Sequence, residues 1–81
     1  MSDIKKRLQD IFRYVFEKKN LKIFDEMTAN DIEEWDSLMH INLIIAIEKE
    51  FSIKFKLGEL VELGNVGDTI QLIEKKLMKQ N

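Results

Sequence analysis

Chemistry in this chain would have to begin at Ser37. The only histidine, His40, follows three residues later, and on a helix that spacing puts two side chains roughly on one side, as a nucleophile and its general base require. Two features count against the pairing. No third group stands at a spacing that would orient the imidazole, and a chain of 81 residues leaves little room for a pocket. His40 also falls at the edge of a core-facing arc, so a partly buried structural histidine bonded to a loop is the preferred reading. Carboxylates are plentiful, but they lie in a polar run and at solvent-facing positions rather than in an apolar setting that would shift their pKa values. With one His, no Cys and no calcium-loop pattern, no metal site is expected. No phosphate-binding glycine loop is present either. The expectation is a chain with no catalytic residues, not an enzyme.

What Ser37 does have is position. In Glu34-Trp35-Asp36-Ser37-Leu38 an acidic, irregular run gives way to a strongly apolar helical one. Asp36 is placed to cap that helix, its carboxylate accepting from the backbone N–H of Leu38 or Met39. A hydroxyl in the first turn is exposed and fixed in direction, and the uncompensated N–H groups there favour an attached phosphate. On Asp36-Ser37 alone, an ordinary helix-start serine is the simpler reading.

The elements that position Ser37 follow from periodicity. Ile4, Leu8, Ile11, Phe12, Val15 and Phe16 recur at helical spacing and predict a first helix over about residues 3–18, with Asp3 helping its start and Lys18 and Lys19 complementing its end. Residues 19–36 show no sustained period. A connection this long needs pinning, and Leu21, Ile23, Phe24, Met27, Ile32 and Trp35 are the candidates, with room for a helical turn over residues 29–34. The second helix runs over about residues 37–51. On a wheel of 100° per residue it carries two apolar arcs: Leu43, Ile44, Ile47 and Phe51 on one, Leu38, Ile41 and Ile45 on the other. One face cannot bury both. Either the long loop covers the second arc or that arc is a docking surface.

Beyond it, Ser52-Ile53-Lys54-Phe55-Lys56 alternates like a strand with nothing to pair with, and is expected to be extended loop. Leu57, Leu60, Val61 and Leu63, bracketed by Gly58 and Gly64, predict a short third helix. Asn65 caps a fourth whose buried stripe is Val66, Ile70, Ile73 and Leu77, with fraying past Lys79. The fold class is therefore all-α: a four-helix bundle with a long loop between its first two long helices and a short third helix.

Composition agrees. The chain is 44% apolar with no Pro and three Gly, which suits one compact helical domain over residues 1–81 held by packing alone. A net charge of -2 makes no case for nucleic acid. Neither an apolar run of membrane-spanning length nor an export leader is visible, so a cytoplasmic location, no membrane insertion and a monomer are the defaults. Charge is unevenly distributed. Residues 1–22 hold Lys5, Lys6, Arg7, Arg13, Lys18, Lys19 and Lys22 against Asp3, Asp10 and Glu17. Residues 23–36 hold Asp25, Glu26, Asp31, Glu33, Glu34 and Asp36 and no base. Such an acidic collar favours a basic partner surface, or is simply a solvated loop.

Asp36-Ser37-Leu38, followed by Leu43, Ile47, Glu48 and Phe51, resembles the modification motif and second helix of the acyl carrier protein family, and the resemblance extends over nearly the whole chain in helix order. It implies that Ser37 is esterified with 4'-phosphopantetheine by a phosphopantetheinyl transferase drawing on coenzyme A. The arm's thiol would carry acyl, aminoacyl or polyketide intermediates as thioesters to acyl-loading and acyl-transferring enzymes. Asp36 matches the family residue that caps the helix and assists the transferase; Leu38, Ile41 and Ile45 match positions that meet partners; Leu43, Ile47 and Phe51 would border the space that shelters an acyl chain. Two departures qualify the match. Trp35 stands where the family often has Gly, and Met39, His40 and Asn42 stand where fatty-acid carriers often place acids. Both point to a specialised carrier serving a dedicated pathway. The alternative function is a non-catalytic helical interaction module with a carrier-like fold and no prosthetic arm.

Overall fold

The computed structural model describes residues 3–61 and 63–78. Among them are four α-helices and no strand: α1 (Asp3–Val15), α2 (Ser37–Phe51), α3 (Leu57–Val61) and α4 (Val66–Met78). The all-α expectation and the helix order hold. Fraying past Lys79 lies outside the described residues.

α1 is shorter than its apolar period suggests, for a local reason. Glu17 adopts a left-handed backbone (φ 54°). The Lys18 amide then donates back to the Arg13 carbonyl (3.0 Å) and the Glu17 amide to the Tyr14 carbonyl (3.4 Å), closing the helix in a Schellman turn. α2 ends the same way. Ser52 has φ 56°, and the Ser52 and Ile53 amides both return to the Glu48 carbonyl. Both turns reverse the chain sharply, and Phe16 and Ile53 beside them are buried.

α1 packs against both α2 and α4. Phe12, Leu8, Ile47, Ile73 and Val66 form the fully buried centre, one or more from each of the three long helices. The core arc of α2 is the one expected, since Leu43, Ile44, Ile47 and Phe51 are all buried. On α4, Val66 and Ile73 are buried with Ile70 and Leu77 half-buried, and Thr69 joins them by donating its hydroxyl to the Asn65 carbonyl (3.1 Å).

The loop between α1 and α2 is pinned, though not by every residue proposed for it. Ile23, Met27 and Ile32 are buried, and Leu21 and Trp35 pack against the core. Phe24 is instead exposed. Two α1 side chains hold the loop backbone: Arg13 Nε donates to the Leu21 carbonyl (2.6 Å), and Gln9 Oε1 accepts from the Ile23 amide (3.0 Å). The helical turn is a single 3-10 turn, Ala29–Asp31, closed by a capping box in which Thr28 and Asp31 exchange bonds.

The loop also supplies partners to the start of α4. The amides of Val66 and Gly67, orphan donors in the first turn of a helix, donate to the Met27 (2.9 Å) and Asp25 (2.8 Å) carbonyls, and Asn65 Oδ1 accepts from Asp68 (2.8 Å). A Cβ on Gly67 would stand 3.1 Å from the Asp25 oxygen. The absence of a side chain there is what allows the loop to approach so closely.

Residues 53–56 are loop, as expected, while Ser52, expected to be extended with them, is left-handed instead; Ile53 is buried, and the Phe55 amide donates to Glu48 Oε2 (2.9 Å). Leu57, expected in the apolar cluster of the short helix, is exposed. What fastens α3 is Glu59, which accepts from the Lys56 amide (2.7 Å) and pairs with Lys76 of α4 (2.7 Å). Those partners, the Lys56 amide first, hold the Glu59 carboxyl below its ordinary pKa. The folded state thus binds this proton less tightly than the unfolded chain. Its contribution is present above the ordinary carboxylate range and is lost as pH falls through the lowered folded value.

Thermal melts of the native protein and Glu59→Gln should differ at neutral pH and converge in acid below the carboxylate range. A gap that persists unchanged in acid would mean that the ionised carboxylate does not fasten α3. Phe51, 4% exposed and with the Arg7 guanidinium 4.4 Å above its ring, should cost about 3–5 kcal/mol in denaturant unfolding when replaced by Ala.

Candidate functional site

The junction at residues 36–40 is built from backbone upward. Asp36 is extended (φ -106°, ψ -172°) and caps α2 through its side chain, Oδ1 accepting from the Met39 amide at 2.9 Å. The Met39 amide, not that of Leu38, is thus the partner. The Asp36 carbonyl takes the first helical bond, from the His40 amide (2.8 Å). On the loop side, the Trp35 amide donates to Ile32 (3.1 Å) and the Asp36 amide to Glu34 (2.9 Å). Ser37 is therefore the first residue of α2, exposed, on a backbone held from both directions.

His40 and Trp35 close a side-chain link across this junction. The Trp35 indole Nε1–H donates to His40 Nδ1 at 3.1 Å, and the two rings stack with 21° between their planes. Phe12 of α1 and Phe16 just past its end form the floor beneath the indole, with ring centroids 5.4 and 5.8 Å away. The histidine bonded to the loop, anticipated from its place on the helix wheel, is thus realised, and its partner is Trp35.

The second arc of α2 faces solvent. Leu38, Ile41 and Ile45 are 67%, 55% and 46% exposed, so the loop leaves this arc uncovered and packs instead over α1 and α4. Beside Ile45 the arc opens into a groove between α1 and α2 lined by Tyr14, Ala46, Asn42 and Lys49. Tyr14 lies outside the apolar stripe of α1, and that position was the available signal for its exposure; its place in the groove needed the packing of the two helices.

The acidic collar is only partly free. Asp25 pairs with Lys5 (3.1 Å) and Glu34 with Lys18 (3.4 Å), while Asp31 serves the capping box and Asp36 the helix cap. Both ion pairs are solvent-exposed and contribute little to stability. Glu26 and Glu33 remain exposed without an ion-pair partner among the described residues. Leu43, Ile47 and Phe51 are in the core with Leu8, Phe12, Ile53 and Ile73. No group of three His, Cys, Asp or Glu side chains placed to hold a metal occurs among the described residues, nor any helix long and apolar enough to cross a membrane.

Residues 21–73 match the model of a family described as "Phosphopantetheine attachment site". Among curated relatives, an acyl carrier protein of Buchnera aphidicola subsp. Acyrthosiphon pisum is 32% identical over 80 residues, covering 99% of this chain and all of the relative. The acyl carrier protein of Porphyromonas gingivalis is 34% identical over 82 residues, covering 95% and 99%. Among solved structures, holo acyl carrier protein from Geobacter metallireducens superposes with a TM-score of 0.91 at 46% identity, covering 98% of this chain and 91% of that one. Similarity of this extent, end to end in sequence and in helix arrangement, leads to one conclusion: this chain belongs to the acyl carrier protein family.

Proposed function

We propose that Ser37 is the residue on which the 4'-phosphopantetheine arm is built, with Asp36 as helix cap and recognition contact for the transferase, and that Leu38, Ile41 and Ile45 form the surface met by partner enzymes. The observation that carries this reading is the seat of Ser37. It is exposed, it opens α2, Asp36 fixes its backbone, and it lies within the span matched by the attachment-site family. The residues suit the group: with the cap spent on Met39, the amides of Ser37 and Leu38 remain at the positive end of a 15-residue helix, which favours a phosphodiester. When bound, the group supplies a thiol on a long arm, on which acyl cargo travels as a thioester. The chain's own part is to tether and to dock. It holds the cargo at high local concentration beside whichever enzyme occupies the exposed arc. Membership of the family does not favour the reading as an interaction module without an arm.

Surface charge supports a specialised role. Residues 37–47 carry no acidic or basic side chain apart from His40, while Glu48 is spent on the Phe55 amide and Glu50 on Arg7. Docking on this strip rests on burial of Leu38, Ile41 and Ile45, each able to contribute about 1.5–3 kcal/mol when fully covered, and not on an acidic face. Of the acidic side chains just before Ser37 in the chain, Asp36 serves the cap and Glu34 pairs with Lys18, which leaves Glu33. We place the protein in the cytoplasm as a monomeric carrier for a dedicated acyl pathway rather than for general fatty-acid synthesis.

Intact-mass measurement after incubation with coenzyme A and a broad-specificity phosphopantetheinyl transferase should show one added arm on the native protein and none on Ser37→Ala. An unmodified native protein, under conditions that load a control carrier, would overturn the attachment reading. Ile45→Glu should keep its melting temperature within about 4 °C, since Ile45 is half exposed, yet lower transferase kcat/KM roughly tenfold through lost apolar burial. A large drop in melting temperature with unchanged kcat/KM would show that Ile45 serves the fold and not the dock.

A further inference from the structure

The bond between Trp35 and His40 reaches across the one residue whose orientation matters most. Trp35 stands two residues before Ser37 and His40 three residues after it. Three bonds close over this interval: Trp35 Nε1–H to His40 Nδ1 (3.1 Å), the His40 amide to the Asp36 carbonyl (2.8 Å) and the Met39 amide to the Asp36 carboxylate (2.9 Å). The last two belong to any capped helix start. The first does not, since it ties a loop side chain to a helix side chain, and it is anchored in turn by packing of the indole on Phe12 of α1 and Phe16 just past its end.

We infer that Trp35 and His40 are positioning residues for Ser37, a side-chain clamp that fixes the direction in which the hydroxyl meets the transferase. This rests on the attachment reading above. The physical argument is one of conformational entropy. Ordering one residue's backbone costs conformational entropy, and a loop residue beside an otherwise free helix start would bear that cost at each encounter. Here the loop is ordered in advance. Its last residues cannot swing away from α2 without breaking the indole bond and lifting the ring from the aromatic floor. A partner then meets a population already in the competent arrangement, and apparent affinity is reduced only by the fraction that is not.

The clamp also fixes the state of His40. A ring nitrogen that accepts the indole hydrogen carries no proton of its own, so in this arrangement the neutral imidazole has its hydrogen on Nε2. The role calls for an acceptor at the Nδ1 position rather than for a base. Asn, whose side-chain oxygen can occupy a place close to that of Nδ1, should substitute, whereas Phe, which keeps a ring for stacking but offers no acceptor, should not. Trp35→Phe tests the other partner, keeping an aromatic ring on the floor and removing the donor.

The test is amide and indole hydrogen exchange by NMR on the full chain, with the transferase assay run in parallel. Exchange at the bonded amides of Asp36 and Met39 should quicken about tenfold in His40→Phe and Trp35→Phe and stay near the native rate in His40→Asn. The signal of the single indole should be protected in the native protein and His40→Asn and exchange fast in His40→Phe. Transferase kcat/KM should fall several-fold in both Phe variants and recover in His40→Asn, with amides of the α1 and α4 cores unchanged throughout. Native exchange at Asp36 and Met39 in the Phe variants would overturn the clamp, as would His40→Asn behaving like His40→Phe. A native protein that the transferase does not load would overturn the attachment reading instead, and the exchange rates would still decide the clamp.

Discussion

Residues 16–36 lie flat against the helices instead of standing off in solvent, and that placement requires the buried backbone polar groups of the segment to find partners. They find them in three directions. Gln9 and Arg13 of α1 bond the backbone at Ile23 and Leu21, the first turn of α4 donates to the carbonyls of Asp25 and Met27, and the segment closes its own 3-10 turn through Thr28 and Asp31. Loop and bundle depend on each other. The carbonyls of Asp25 and Met27 satisfy helix-start donors that would otherwise have only water, while Ile23, Met27 and Ile32 complete the core. A pinned loop has a fixed end, and Ser37 stands at that end.

Much of this was legible in the sequence where side-chain pattern decides. The period of α1, the two arcs of α2, the Asp36 and Asn65 caps and the loop after Ser52 all depend on residue type at fixed spacing, and all appear. What was not legible depends on backbone geometry or on partners far along the chain. Phe16 continues the apolar stripe of α1, yet the helix stops at Val15 because Glu17 turns left-handed, which no strong local signal such as a glycine announces. Phe24 and Leu57 look like core by type and are exposed. The bonds from Val66 and Gly67 to the loop join backbone groups, which leave no trace in side-chain pattern beyond the glycine that makes room. At the site itself, Ser37, Asp36 and the second arc could be named in advance, though not whether the loop would cover that arc, and Trp35 could be assigned to the loop and His40 to a bond with it. Their mutual bond could not, because it needs the loop's path.

The functional picture follows from the division between the two arcs of α2. One arc, Leu43, Ile44, Ile47 and Phe51, is buried, all but Ile44 in one cluster with residues of α1 and α4, and makes the helix a fixed platform; the other is left to solvent beside Ser37. For a carrier this is economical in structure. On the proposed function, cargo moves on the arm while partners dock on the exposed arc, and the face of residues 37–47, uncharged apart from His40, would favour partners with apolar contact surfaces over partners that rely on a basic patch.

The central claim is the identity of the attachment residue. Fragmentation mass spectrometry of the transferase-loaded protein tests it most directly, because the fragment series places the added group on one residue among Ser2, Ser37 and Ser52. The account predicts the whole of the added mass on Ser37, with fragments ending before it unmodified. Modification located at Ser52 or Ser2, or distributed among the serines, would contradict it.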